Sequence, residues 1–480
     1  MISGHTILKN TVYLTMSSVI NLGISLITTA LIARSLGPEL YGKYIFGLTY
    51  IFLFSVLANL GIETMFVRKA AKNRECIRSM FMDIMHLKII LAVLTVVVIV
   101  TSVNLLRYSD STINVIYIFS GGLFFQVLYS TIMSVYRSLE KMYIVAIFSV
   151  IFRLITAMII TIAIYYDLGL MGITWSFTIG NALVFIFSYA YLYKEMRILH
   201  FHINTSKWIE FILKGFPFYA SALLTMIYTK INVLILSKME NELEIGYFMA
   251  AVALVETLYF IPDAIGIAVF PAFSRIYGYS IDALRKTYER MIKYVIIISA
   301  AVCVGCILVG GNILLLIYGN EFEYSIEVLN VFIFYWAFMF FDNIMSNLLF
   351  SINKENVQVK IMGLACIINV VLNIVLIEQY GYIGSAYAIL ATEGTIVVIM
   401  AGLLWSNSLK YTPDWSILRL TGVIALMIVV VRMLNNYNIV IAILGGAISY
   451  VSFLFILRVF DNDDIMYMKS IIRRGAHNVS

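Results

Sequence analysis

Arg153 stands near the middle of an apolar run, 143–165, with Ser149 four residues before it and Thr156 three residues after it. On a helix these three share a face. A guanidinium at the centre of a membrane-spanning helix costs ~2.5–3.5 kcal/mol on insertion scales, so it belongs beside water, a partner charge or an anionic ligand. Its planar fork matches the oxygens of a phosphate. Two readings stand: Arg153 serves an anionic cargo in a wet cavity, or it closes an ion pair between helices.

Other charges fall inside apolar runs as well. Lys230 lies in 211–237, where the polar stripe Ser221/Thr225/Tyr228/Asn232 misses it; its stem can snorkel to the outer surface. Lys88, near the inner end of 81–105, is expected to snorkel too. Glu256 and Asp263 share a helix face with Tyr259 between them, and Pro262 is expected to kink that helix between the two acids. Asp342 shares a face with Tyr335 and Ser346, and Glu393 is mid-run. These four acids either pair with Arg153 or Lys230, or couple transport to H+ or Na+. Ser18, Asn21, Ser25 and Thr28 repeat at helical spacing, and Asn369 and Asn373 do so further on; contacts between helices and contacts to sugar hydroxyls explain both patterns equally.

Catalytic signatures are missing. The chain has no P-loop, no zincin motif and no nucleophile elbow. The five His residues form no buried pair, and Cys303-x-x-Cys306 sits in an apolar run, where two packed thiols are the expected reading. The expectation is a protein that is not an enzyme, with no cofactor, no metal and no nucleic-acid partner.

The elements that position these residues follow from hydrophobicity. The 480-residue chain is 62% hydrophobic and 12% charged, against about 25% charged residues in a soluble domain. Apolar stretches between polar breaks predict fourteen membrane-spanning helices, from 10–33 to 438–457. Of the 33 Lys and Arg, three (Lys88, Arg153, Lys230) fall inside spans and five (Arg34, Lys43, Arg107, Lys238, Arg432) on one side; all others fall on the side of the N-terminus. That asymmetry places both termini in the cytoplasm. The outer loops are too short to hold a folded domain.

The stretch RSLGPELYGKY (34–44) separates the first two spans, and Gly37-Pro38 predicts a bend there. Part of it returns later: ELYGKY (39–44) resembles ELEIGY (242–247), and YDLGLMGITW (166–175) resembles QYGYIGSAY (379–387), in the same order and at similar offsets. A duplication follows. Its expected parts are an N-terminal six-helix lobe (1–193), a cytoplasmic linker (194–214), a second six-helix lobe (215–406), two further helices (407–458) and a basic cytoplasmic tail (459–480).

RSLGPELYGKY, NLGIETMFVRKAAK (59–72), INKENVQV (352–359) and INVVLNIVLIEQYGYIGSAYA (368–388) together resemble the polysaccharide-biosynthesis flippases of the multidrug/oligosaccharidyl-lipid/polysaccharide exporter superfamily. The resemblance covers essentially the whole chain. It implies an all-α, polytopic protein whose two lobes enclose a cavity of alternating access, with the last two helices outside, beside the lipid tail. Its implied cargo is a lipid-linked oligosaccharide with a polyprenyl or dolichyl phosphate or pyrophosphate head, and membrane lipids and glycan-assembly enzymes are its partners. Arg153, Lys230, Arg34, Asn21 and Ser25 are the expected cavity residues. A cation-coupled exporter of amphipathic drugs remains open, as does a glycan polymerase or ligase, although such an enzyme needs a larger outer loop. A scaffold for glycan assembly is the fourth alternative.

Overall fold

The computed structural model describes residues 4–72, 77–196, 207–412, 416–435, 437–461 and 464, and the described elements are helical throughout. In chain order they are α1 (Gly4–Asn59), α2 (Ile62–Lys72), α3 (Ile77–Leu105), α4 (Asp110–Ser138), α5 (Met142–Tyr165), α6 (Gly169–Met196), α7 (Trp208–Met239) and α8 (Glu242–Glu256). There follow α9 (Phe260–Tyr277), α10 (Ile281–Gly305), α11 (Gly311–Tyr318), α12 (Ser325–Ser351), α13 (Glu355–Tyr380), α14 (Tyr382–Ser406), α15 (Ser416–Asn435) and α16 (Ile439–Ile456). Residues 197–206, within the expected linker, and nearly all of the expected tail lie outside the described residues.

Among the described residues, 13 helices are long and apolar enough to cross a membrane. The first of these runs Lys9–Asn59 and contains two passes. It breaks at Gly37, whose φ of 69° and ψ of 174° no helix can absorb; glycine tolerates that φ, and the following Pro38 disfavours the α region in the residue before it. Contacts confirm the reversal. Asn10 Nδ2 donates to the Glu140 carbonyl at 3.1 Å, just past the end of α4, while Glu63, just beyond α1, accepts from Ser130 near that same end of α4 at 2.6 Å. Both ends of α1 therefore return to one membrane face. Counted this way, the thirteen helices supply the fourteen expected passes.

Contacts divide the chain into Met1–Met249 with Asn373–Tyr382, and Ala250–Leu372 with Ile383–Ser480. In the first unit α7 is fastened to α2 and α3 at one end, by Lys69–Glu210 at 3.4 Å and Lys207–Asp83 at 3.9 Å. At its other end the hydroxyls of Tyr108 and Ser237 lie 3.1 Å apart. Glu210 also pairs with Lys214 at 2.7 Å, and the two lysines hold its carboxyl below the usual carboxylate range. An apolar cluster including Phe66, Phe81, Ile84, Ile132, Tyr136 and Phe211 fills the space behind these contacts.

In lipid, hydrophobicity does not drive helices together; close packing of small residues does. The repeated motif shows where. A Cβ on Gly42 would collide with the carbonyl oxygen of Glu242, and one on Gly246 with that of Pro38. So ELYGKY and ELEIGY cross each other at their glycines. The second repeated motif behaves alike: Gly169 (φ 58°) and Gly381 (φ 62°) both hold left-handed turns at the start of α6 and α14. Gly246→Ala is expected to lower stability by about 1–3 kcal/mol through overpacking. Gly363→Ala, where nothing lies within 4 Å, serves as the control, and melting of both variants in detergent measures the difference.

In the second unit the chain at the expected kink changes to a 3-10 turn, Thr257–Tyr259, so the break falls between Glu256 and Asp263. Pro262 lacks the N–H that would continue the ladder there. Helix α10 passes through a π turn, Cys306–Gly310, into α11. The thiols of Cys303 and Cys306 are free. The α15–α16 pair packs on α10: Val423, Met427, Tyr450 and Leu454 form one cluster with Ile297 and Val309, and the Tyr450 hydroxyl donates to the Ile297 carbonyl at 2.6 Å.

Candidate functional site

Helix α5 packs against α1 and α6, and its polar strip meets α1 at Asn21. Asn21 Nδ2 donates to Ser149 Oγ at 2.9 Å. Arg153 follows one turn along α5. Its side chain is exposed, and among the described residues it makes no hydrogen bond or ion pair. Its electrostatic neighbour is the Tyr44 phenol, contributed by the ELYGKY motif. Tyr44 is buried and stacks edge-on against Phe119 at 5.3 Å, which in turn meets Phe177 at 5.3 Å. A rigid aromatic wall therefore stands beside an uncompensated guanidinium, with a hydrogen-bonded amide and hydroxyl one turn away. Such a set can take a phosphate on the guanidinium and a polar ring against the amide and phenol.

Thr156 departs from the expectation. Its Oγ1 bonds the Phe152 carbonyl at 2.8 Å, and its side chain packs on Gly180 of α6, where a Cβ would meet Thr156 Oγ1 at 2.6 Å. It is a helix contact. Ser18 and Thr28 likewise bond carbonyls of their own helix, at 2.9 Å each. Ser25 lies half-buried on the same helix, and Arg34 is exposed three residues before the Gly37 break. Lys230 is half-buried on α7 and is engaged by neighbours. Asn369 and Asn373 are fully buried and engaged, as contacts between helices require.

The acids gather in the second unit. Tyr259 has both Glu256 and Glu393 as electrostatic neighbours and hydrogen-bonds Tyr335. Glu393 is 2% exposed. Asp342 accepts from Ser346 Oγ at 3.1 Å, and Ser346 accepts from Gln358 Nε2 at 2.8 Å. Asp263 is exposed. Among the described residues no group of His, Cys, Asp and Glu could hold a metal ion.

Lys88 requires a correction. It does not snorkel: its side chain is 0% exposed and pairs with Glu63 at 2.9 Å. Asn59 Oδ1 also accepts from Lys88 at 3.2 Å, and Arg137 approaches Glu63 at 4.0 Å. The left-handed turn at Gly61 (φ 70°) carries the chain from α1 into α2 and aims Asn59 and Glu63 at one ammonium. An internal partner at that depth competes successfully with a stretched stem reaching for the surface. The NLGIE stretch carried part of the family resemblance, but nothing in it marked Glu63 as the counter-ion of a lysine 25 positions on. Tyr44 was also missed, since one tyrosine among 32 gives no signal until its neighbour is known.

A model of polysaccharide biosynthesis proteins matches residues 7–277, more than half of the chain. The chain belongs to the polysaccharide biosynthesis protein family. Within reach of the family by sequence is a Shigella dysenteriae protein named "Putative O-antigen transporter", 25% identical over 359 residues, which span 73% of this chain and 88% of that protein. The fold matches a lipid II flippase, MurJ, in an inward closed conformation with a TM-score of 0.76, at 16% identity, covering 95% of this chain and 99% of that one. It also matches an inward-facing multidrug resistance MATE family transporter of the MOP superfamily, with a TM-score of 0.68, at 15% identity, covering 83% and 97%. These findings agree with the family resemblance and with the expectation that the protein is not an enzyme: each relative is named for transport or flipping.

Proposed function

We propose that this integral membrane protein flips a lipid-linked oligosaccharide or polysaccharide precursor, carried on a polyprenyl or dolichyl phosphate or pyrophosphate, across the cytoplasmic membrane by alternating access. The observation that carries this reading is the uncompensated Arg153, exposed within an apolar helix beside Tyr44 and one turn from the Asn21–Ser149 pair. Unaided passage is prohibitive, because each hydroxyl leaving water for hydrocarbon loses about 4–8 kcal/mol of solvation. The protein replaces that solvation with polar side chains and holds the head-group anion on Arg153. Arg34, Lys230, Asn21 and Ser25 are the further cargo contacts in this reading. The two six-helix lobes, 1–193 and 215–406, rock about the cargo, and Glu256, Asp263, Asp342 and Glu393 are the groups through which H+ or Na+ coupling acts. Glycan-assembly enzymes supply and remove the cargo.

The rival reading within the fold, a drug exporter, takes cationic cargo, and a guanidinium without a counter-ion repels it. Reconstitution into liposomes separates the two. The expected result is flipping of a fluorescent polyprenyl-pyrophosphate sugar with no uptake of a cationic dye; dye transport without sugar flipping would reverse the assignment. In intact cells, cysteines at Asp167 and Glu323 are expected to label from outside and one at Ser280 only after permeabilisation, as inner termini require.

A further inference from the structure

The second unit holds an apolar groove of about 470 Å³. It is lined by Ile265, Ala268, Val269 and Ala272 of α9, by a stripe of α10 including Thr287, Met291 and Ile298, and by Phe340 and Phe460. A groove of this size lies in the range that binds small ligands, about 300–1,000 Å³. Its walls are almost wholly apolar. Even Tyr294 contributes its ring, because its hydroxyl turns away and donates to Asp464 at 3.2 Å.

The mouth is different. At the end where α9 finishes and α10 begins, Arg275 stands one turn beyond Ala272, exposed and without an ion pair or hydrogen bond among the described residues. The segment after α16 closes the opposite rim. Lys293 clamps Asp464 at 2.7 Å and Asp461 at 3.3 Å, and Arg290 reaches Asp464 at 3.4 Å. Burial pushes Asp461 up, but the Asp464 amide and Lys293 together hold its carboxyl below the usual range. The clamp sets Phe460 as the end wall of the groove. At that rim two cations balance two carboxylates, so the positive charge left over at the groove is that of Arg275.

We propose that this groove is the seat of an anionic phospholipid of the leaflet at that end, with one acyl chain between α9 and α10 and its phosphate on Arg275. An apolar slot inside the membrane is surrounded by acyl chains and suits one of them, and the unpaired guanidinium at its mouth selects a head group of negative charge. The cargo contacts proposed around Arg153 belong to the other unit.

Native mass spectrometry of the purified full-length protein tests this, with phosphatidylglycerol and phosphatidylcholine of identical chains as probes. Wild type is expected to retain phosphatidylglycerol preferentially. Arg275→Gln removes one lipid-facing cation, worth about fivefold in affinity for the anionic probe, and leaves phosphatidylcholine binding unchanged. Ala268→Trp fills the slot and removes the bound phosphatidylglycerol even with Arg275 present. Melting in detergent confirms that both variants fold; if either does not, Arg275→Met and Ala272→Leu take their places with the same readout. Equal retention of the two lipids by wild type, or undiminished phosphatidylglycerol in both variants, overturns the proposal. So does preferential retention of a polyprenyl phosphate over phosphatidylglycerol, which would make the groove part of the cargo path.

Discussion

Glu63→Ala is expected to abolish accumulation of folded protein, although the residue touches no cargo. Its carboxylate is the counter-ion of Lys88, which is fully buried and 2.9 Å away, and it accepts a further hydrogen bond from Ser130 at 2.6 Å. Removing one member of a buried pair leaves the other charged and unpaired, at a cost of about 3–5 kcal/mol. That is a large share of the ~5–15 kcal/mol by which proteins are stable. Lys88→Ala should be milder, because Arg137, 4.0 Å from Glu63, still provides a partial counter-charge. The double variant Glu63→Leu with Lys88→Met removes both charges together and should recover most of the loss. Fluorescence-detected size exclusion with a melting series measures all three. A double variant as unstable as Glu63→Ala would mean that the stability resides in packing at this turn and not in the ion pair.

The number of membrane passes, the bend at Gly37-Pro38 and the repeat around Gly42 and Gly246 were legible in the sequence, because each is a local signal: a hydrophobic run, a pair of breakers, a repeated hexapeptide; that the two copies cross at their glycines was not. Arg153 was legible for the same reason, since a lone cation in an apolar run stands out without any knowledge of its neighbours. Lys88 stood out equally and was misread. Snorkelling and pairing look identical within one helix, and the decisive partner, Glu63, comes from another. The placement of Thr156 failed in a related way: spacing put it on Arg153's side of α5, but the helix face there is shared with α6, and Gly180 admits the threonine.

Arg153→Ala is expected to reduce flipping about ten- to a hundredfold, the equivalent of ~1.5–3 kcal/mol for a charge-assisted hydrogen bond to phosphate. Arg153→Lys should fall between the two, since it keeps the charge and loses the planar fork. Neither change should lower the melting temperature, because among the described residues the guanidinium makes no hydrogen bond or ion pair that the change would break. This sets the prediction apart from the one at Glu63, where activity and stability fall together. Asn21→Leu, which breaks the 2.9 Å bond to Ser149, should weaken transport less than Arg153→Ala.

The most direct measurement compares two fluorescent sugar lipids in liposomes holding wild type or Arg153→Ala, one with a pyrophosphate between sugar and polyprenyl chain and one with a neutral ether in its place. Wild type should flip the pyrophosphate lipid far faster than the ether. In Arg153→Ala that preference should collapse to near equality, with Arg153→Lys keeping part of it. An undiminished preference in the Ala variant, at normal stability, would contradict the assignment of Arg153 as the residue that holds the anionic head.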